Sequence, residues 1–304
     1  MERSYSRYAT VPLGAPPGDI SNTTPRSIEW DMQSITFLVS MGFQLATLIV
    51  SAVTLANSGE PNPSPPLLMV VVTMELTVQV VEILWYGIVG ALYYFGTLSI
   101  GVRYRYYDWV FTTPVGLLAL IIFVWYLECQ SATTDILSDG SRIAAMIIIV
   151  LCDWLMLYIG YAYEAELNVS GMINSLMNWL PLYKDDSQYS LYAYRGLFLG
   201  WLPFFGIFIP MFVALGTANQ SNVMGWGWFT VVATFVTWGM YGIVALYWRS
   251  PSDAKMKNTA YNLLDIVSKN IVGLVTSIVA LNLSTGTQAT PWQNATCLAN
   301  ATNA

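Results

Sequence analysis

Stretches of twenty or more mostly apolar residues recur along the whole chain, separated by short polar segments rich in Gly, Pro and Ser. A helix needs about 20 such residues to cross the hydrocarbon core of a bilayer. Seven spans can be placed, over residues 30–56, 66–95, 106–127, 142–164, 190–215, 223–248 and 258–282. The first break, NSGEPNPSPP, is too rich in proline to continue a helix. GTLSIGVR, SATTDILSDGS, GTANQSN and RSPSDAKMKN interrupt the pattern further on. The fourth connection is long, from about Glu166 to Gln188, and its run GMINSLMNWLPL is apolar on one side, which predicts a segment lying at the membrane interface. Trp and Tyr gather near several span ends, as interfacial belts do. In lipid every backbone polar group must be satisfied internally, so each span is expected to be a helix. The predicted fold class is an all-α membrane protein, a seven-transmembrane-helix bundle over residues 29–283 between polar tails at 1–28 and 284–304.

Composition narrows the function. Of 304 residues, 55% are hydrophobic and 10% charged, far below the roughly one quarter charged in a soluble domain. The net charge of -6 argues against a nucleic-acid partner. The chain has no histidine, so no His-based catalytic base or metal site exists. Its three cysteines, Cys129, Cys152 and Cys297, lack metal-ligand spacing, and Cys152 reads as a small buried hydrophobe. No segment reads as a catalytic domain, so an enzyme is not expected.

Ionisable side chains inside a bilayer are costly, and each is a functional candidate. Lys269 lies near the middle of the seventh span with Asp265 one turn before it, on one helix face. A free ammonium there is costly; a neutral lysine, or one condensed with an aldehyde and paired to a carboxylate, resolves the cost, and a plain structural ion pair is the alternative. On the third span Arg105, Asp108 and Thr112 share one face, placing a guanidinium, a carboxylate and a hydroxyl together. That face would meet a cation from another helix, or else hold an Arg105–Asp108 pair at the membrane interface. On the second span Glu75, Gln79 and Glu82 fall at i, i+4 and i+7, one polar stripe. Such a stripe either hydrates a path for cations or consists of groups bonded to neighbouring helices.

These residues carry a resemblance. The run from Arg105 to Pro114, RYYDWVFTTP, closely resembles the third helix of bacteriorhodopsin-like proteins, the microbial (type 1) rhodopsins. Leu264–Lys269 resembles their seventh helix, Asp153-Trp154-Leu155-Met156 with Gly160 the fourth, Trp238-Gly239-Met240-Tyr241 the sixth and Tyr194-Arg195 the opening of the fifth. The resemblance implies all-trans retinal bound to Lys269 as a Schiff base. It implies Asp108 as the primary counterion and proton acceptor, Asp265 as the second counterion and Arg105 as a gate beside them. Trp109 and Trp238 would sandwich the polyene, Thr113 and Asp153 would link the third and fourth helices, and Met156, Gly160, Tyr241, Phe198, Leu202 and Pro203 would line the chain and ring. For the apolar members, ordinary helix packing is the competing reading. The implied partners are the bilayer and a transported proton or other cation, and the implied assembly is a homo-oligomer.

The departures are informative. Where proton pumps of this family carry a second carboxylate, eleven residues after the acceptor, this chain has Ala119. Gly242 replaces a sixth-helix proline, and Ala245 a ring-packing tryptophan. Glu75 and Glu82 fall where channelrhodopsins carry a glutamate ladder, and Ser268-Lys269-Asn270 resembles their seventh-helix triplet, in which the residue after the lysine pairs with a second-helix glutamate as a central gate. Against a pore, Leu68 and Ala119 offer no ladder in the opposite half of the bundle. The leading reading is a light-gated channel for cations or protons; the alternatives are a light-driven proton pump lacking the usual internal donor and a photosensor.

The expected location is the plasma membrane, multi-pass. Leaving out Lys269, ten of eleven Lys and Arg fall on the N-terminal side and only Arg142 on the other, which by the positive-inside rule puts the N-terminus in the cytoplasm. Glycosylation patterns at Asn282, Asn294 and Asn300 fit an external C-terminal tail. The resemblance implies the opposite orientation.

Overall fold

The computed structural model describes residues 31–57, 66–95, 104–129, 139–164, 188–217, 224–247 and 254–284. They form seven helices: α1 (Met32–Asn57), α2 (Pro66–Tyr94), α3 (Arg105–Cys129), α4 (Gly140–Glu164), α5 (Gln188–Thr217), α6 (Met224–Tyr247) and α7 (Ala254–Ser284). All seven are long and apolar enough to cross a membrane. Their ends match the predicted spans within a few residues, α7 beginning four earlier than expected. The interfacial segment expected in the fourth connection and both polar tails lie outside the described residues.

Local chemistry explains the boundaries. Pro66 takes the first position of α2, where its missing N–H is no loss. Pro114, Pro203 and Pro210 lie within α3 and α5, where neighbouring helices absorb the disruption. Asp139 caps α4, accepting from the Ser141 backbone N–H at 2.7 Å.

Asp31 caps α1, accepting from the Ser34 N–H at 2.9 Å and pairing with Lys255 of α7 at 3.0 Å. The Ser34 backbone bond, then Lys255, hold its carboxyl below the usual carboxylate value. A depressed folded-state value stabilises the fold above about pH 4, and the contribution fades as pH falls through it. Asp31→Ala should therefore cost about 1 kcal/mol at neutral pH, the scale of an N-cap. Thermal unfolding of variant and parent in detergent should converge as the pH is lowered below that range.

The helices form a closed ring in chain order, α1 against α2 and so on round to α7, which returns to pack along α1. α3 is drawn into the ring, touching α5, α6 and α7 as well as its two neighbours. Starts of the odd-numbered helices share one end of the bundle, here the near end; the other is the far end. Outward faces are apolar, as a lipid-facing surface requires, with Leu38, Leu84, Phe111, Leu151 and Val213 among the exposed side chains.

The interior is divided lengthwise. Toward the far end of α2, α3, α5 and α6 it is apolar, with Leu67, Leu68, Val71, Leu117, Ala119, Leu120, Phe208 and Met211 buried together. Along α1, α2 and α7 it is polar. The buried residues of α1 are Ser34, Thr36, Phe37, Ser40, Gln44, Thr47, Ser51 and Thr54, so seven of eight carry polar side chains. From Ser40 to Thr54 they recur at alternating steps of four and three, the spacing of one helix face.

Candidate functional site

Lys269 sits midway along α7, and its Nζ donates to Glu82 Oε1 at 2.9 Å, to Asp108 Oδ2 at 3.2 Å and to the Tyr86 hydroxyl at 3.2 Å. It also lies 4.8 Å from the centre of the Tyr86 ring. Three helices thus converge on one amine: α2 supplies Glu82 and Tyr86, α3 supplies Asp108 and α7 supplies the lysine. All three charged groups are nearly sealed from solvent, so mutual pairing is what makes their charges tolerable.

Asp265, one turn before Lys269, is engaged differently. Its carboxylate accepts from Tyr241 OH at 2.5 Å, from Tyr86 OH at 3.0 Å and from the Arg105 guanidinium. Arg105 donates in addition to the Asn262 side-chain oxygen and to Tyr86 OH at 3.2 Å. Arg105 therefore pairs with Asp265 across the bundle and not with Asp108 on its own helix. Glu82, which the sequence placed in a ladder, stands against the lysine, and Asp265, expected as the second counterion, is not among its direct partners. Tyr86 bridges the two ion pairs. Thr112, on the same face as Asp108, donates to the Asp108 backbone carbonyl at 3.0 Å rather than to its carboxylate. Thr113 donates to Asp153 Oδ2 at 2.8 Å, tying α3 to α4.

Beside this cluster lies a mainly apolar cavity lined in part by Lys269. Trp109, Thr113, Met156, Gly160, Trp238 and Tyr241 line it, with Glu75 and Glu82 on one flank. A Cβ at Gly160 would fall 2.8 Å from the Tyr106 hydroxyl, so a larger residue there would require that ring to move. Two expected lining residues are corrected. Leu202 points outward, 60% exposed, and Pro203 is buried in α5 but does not line the cavity; Trp201 and Phe204 do. One residue turns a helix by about 100°, so a small error of phase sends a side chain to lipid. The side chain of Phe198 lies outside the described residues. Gly242 lies inside the continuous α6, and the Trp201 ring packs against it so closely that a Cβ there would come within 3.1 Å. Ala245 lines the same cavity.

The geometry suits a long apolar molecule bearing one aldehyde. Indole and phenol rings flank the cavity, one amine among the described residues lines it, and the carboxylates that would balance a cationic linkage already touch that amine.

The glutamate stripe of α2 faces inward. Glu75, Gln79 and Glu82 are all buried, and Gln79 donates to the Lys269 backbone carbonyl at 3.0 Å. Asn270 accepts from Thr47 at 2.6 Å and donates to the Ile266 carbonyl at 2.9 Å. Among the described residues no hydrogen bond joins Asn270 to Glu75 or Glu82, unlike the pairing the resemblance implies for a central gate. One turn further toward the far end, Ser51 and Ser277 meet at 3.0 Å. Among the described residues several buried atoms along these helices have no protein partner: Ser40 Oγ, both polar atoms of Gln44, Glu75 Oε1, Gln79 Oε1 and Glu82 Oε2. Buried polar groups are nearly always satisfied, so such a row marks where internal water would bind.

The sequence reading missed Thr47, Ser51 and Gln44. Their signal was present as an every-fourth-or-third polar position in an otherwise apolar span, the mirror image of a soluble amphipathic helix.

The family model described as bacteriorhodopsin-like protein matches residues 31–283. No curated protein matches the sequence. Among solved structures, xanthorhodopsin, described as a light-driven ion pump with dual chromophore, is 17% identical, with a TM-score of 0.62 over 86% of this chain and 98% of that one. A viral rhodopsin is 21% identical, with a TM-score of 0.57 over 82% of this chain and 97% of its own. The light-driven proton pump of Coccomyxa subellipsoidea is 19% identical, with a TM-score of 0.56 over 82% of this chain and 96% of that one. Likeness at such identities concerns the fold.

Proposed function

The chain belongs to the bacteriorhodopsin-like family, and from that premise we propose that it is a light-gated channel for cations or protons, with all-trans retinal joined to Lys269 as a Schiff base. The observation that carries the channel reading is the buried polar column along α1, α2 and α7. From the near end it runs through Asn258, Asn262 and Thr36 to Arg105 and Asp265. It passes Lys269 with Asp108 and Glu82, then continues through Gln79, Glu75 and the Thr47–Asn270 pair to Ser51, Ser277 and Thr54. A column of this length between apolar walls is unnecessary for holding a chromophore, but a conducting path needs one. The apolar opposition of Leu68 and Ala119 loses its force, because the column bypasses them on the α1 side.

Trp109, Trp238, Tyr241 and Met156 would hold the polyene. When bound, retinal supplies the response to light, a change of shape that moves the positive charge at Lys269 Nζ relative to its carboxylates. In the dark that charge closes the column by pairing with Glu82 and Asp108. Once the pairing is lost, the groups around Nζ are free to bind water and passing cations, and Arg105, held by Asp265, stays as the near-side barrier. A bistable ion pair of this kind is a workable gate.

Photocurrents recorded against voltage test the reading. A channel current reverses sign near the equilibrium potential of the carried ion, whereas a current of one direction at all voltages would refute it. Gln44→Leu, which removes a buried polar side chain from the α1 face of the column, should lower the current by about an order of magnitude through dewetting while leaving the pigment intact.

The second reading, a light-driven proton pump, is favoured by the direct contact of Lys269 with Asp108, an acceptor already in place, and by the pumps among the structural neighbours. Orientation sets the sense of any current. A C-terminal tag reached by antibody only after permeabilisation would exclude a cytoplasmic N-terminus.

A further inference from the structure

Glu75 lines the polar column, and its surroundings are specific. It is buried to 2% exposure, and its Oε1 has no protein partner. Unlike Glu82, it has no ion pair among the described residues. Its Oε2 lies against α7 at Gly273, one helical turn beyond Lys269, so close that a Cβ on Gly273 would come within 3.1 Å of it. Glu75 and Lys269 line the same cavity, with Glu75 on the far side of the amine. Gln79, one turn from Glu75 on α2, stands between them, bonded to the Lys269 carbonyl and with its own Oε1 unpartnered. An uncompensated carboxylate in such a place is costly, whereas a neutral acid is not. The opposite wall offers no substitute, since Ala119 and its neighbours Leu117 and Leu120 are buried and apolar.

We propose that Glu75 is the proton store of the site: it holds a proton in the dark and delivers it to Lys269 Nζ after light has driven the amine's own proton to Asp108 or Glu82. The O–H bond of Glu75 breaks and an N–H bond forms at Nζ, through water held by Gln79. The carboxylate left at Glu75 regains a proton from the far end along Ser51, Ser277 and Thr54. Near-side carboxylates thus take the proton and a far-side carboxyl replaces it. Glycine at 273 makes the room that brings this carboxyl within a turn of the amine. The inference rests on the retinal linkage at Lys269 proposed above, but not on whether ions flow.

The test is Glu75→Gln in the full-length pigment, followed by flash spectroscopy of the return of the proton to Nζ. Return should slow at least about tenfold, the low end of what a positioned proton donor contributes, and a small permeant acid such as azide should restore it. A rate within about twofold of the parent would overturn the proposal. Infrared spectra of the retinal-free protein give a readout independent of light: a neutral carboxylic acid band should be missing from the Glu75→Gln variant, and an unchanged spectrum would also overturn it. If the variant forms no pigment, light-induced infrared difference spectra of the parent with labelled glutamate decide. A glutamic acid band lost as Nζ regains its proton supports the role, and its absence refutes it. Photocurrents that reverse while Glu75→Gln returns its proton at the parental rate would leave the channel reading standing and this one fallen; slowed return with currents of one direction would do the opposite.

Discussion

Arg105→Gln should destabilise the protein by about 3–5 kcal/mol, the cost of stranding one member of a buried ion pair. Arg105 is only 4% exposed, and Asp265, its partner, is fully buried. Glutamine keeps a polar head near Asn262 but removes the positive charge, leaving Asp265 with two tyrosine hydroxyls as its remaining partners. Thermal unfolding in detergent should show the loss as a large drop in midpoint. The double variant Arg105→Gln with Asp265→Asn should recover most of it, because no uncompensated charge then remains. A single variant as stable as the parent would mean that the Arg105–Asp265 pair does not hold α3 to α7.

Lys269→Ala should abolish retinal attachment, visible colour and photocurrent together. No other lysine among the described residues enters the cavity, so no second amine can substitute. The same substitution removes the one cation that Glu82 and Asp108 touch directly among the described residues. Two carboxyls then face each other without their partner, and at least one must take up a proton or admit water. The variant should therefore fold less stably than the parent even without retinal, and Glu82→Gln added to it should relieve part of that loss. An equal stability of parent and Lys269→Ala, measured by thermal unfolding of the retinal-free proteins, would show that the three groups do not depend on one another.

Much of this arrangement was legible in the sequence. Seven spans followed from hydropathy and proline-rich breaks, because in a bilayer the backbone leaves helices as the only economical choice. Lys269, Asp265, Asp108 and Arg105 stood out because ionisable groups are rare in such spans. Who pairs with whom was harder. Arg105 and Asp108 are neighbours on one helix, yet the guanidinium reaches across to Asp265, and Glu82 takes the place beside Lys269. Spacing along one helix reports which residues share a face, not which helix that face meets. The fifth helix shows the same limit: its resemblance rests on Tyr194-Arg195, too short a run to set the phase that decides between Leu202 and Trp201. The polar face of α1 was readable in principle, but uncharged Ser, Thr and Gln in an apolar span raise no alarm until burial shows them turned inward.

Colour, gating and proton return all require that Lys269 Nζ be the atom that carries retinal. Reduction of the illuminated and dark pigments with borohydride makes the linkage permanent, and digestion followed by mass spectrometry locates it. The added mass should lie on Lys269 alone. Its appearance on another residue, or a chain left unmodified after incubation with all-trans retinal, would contradict the site and the gating built on it.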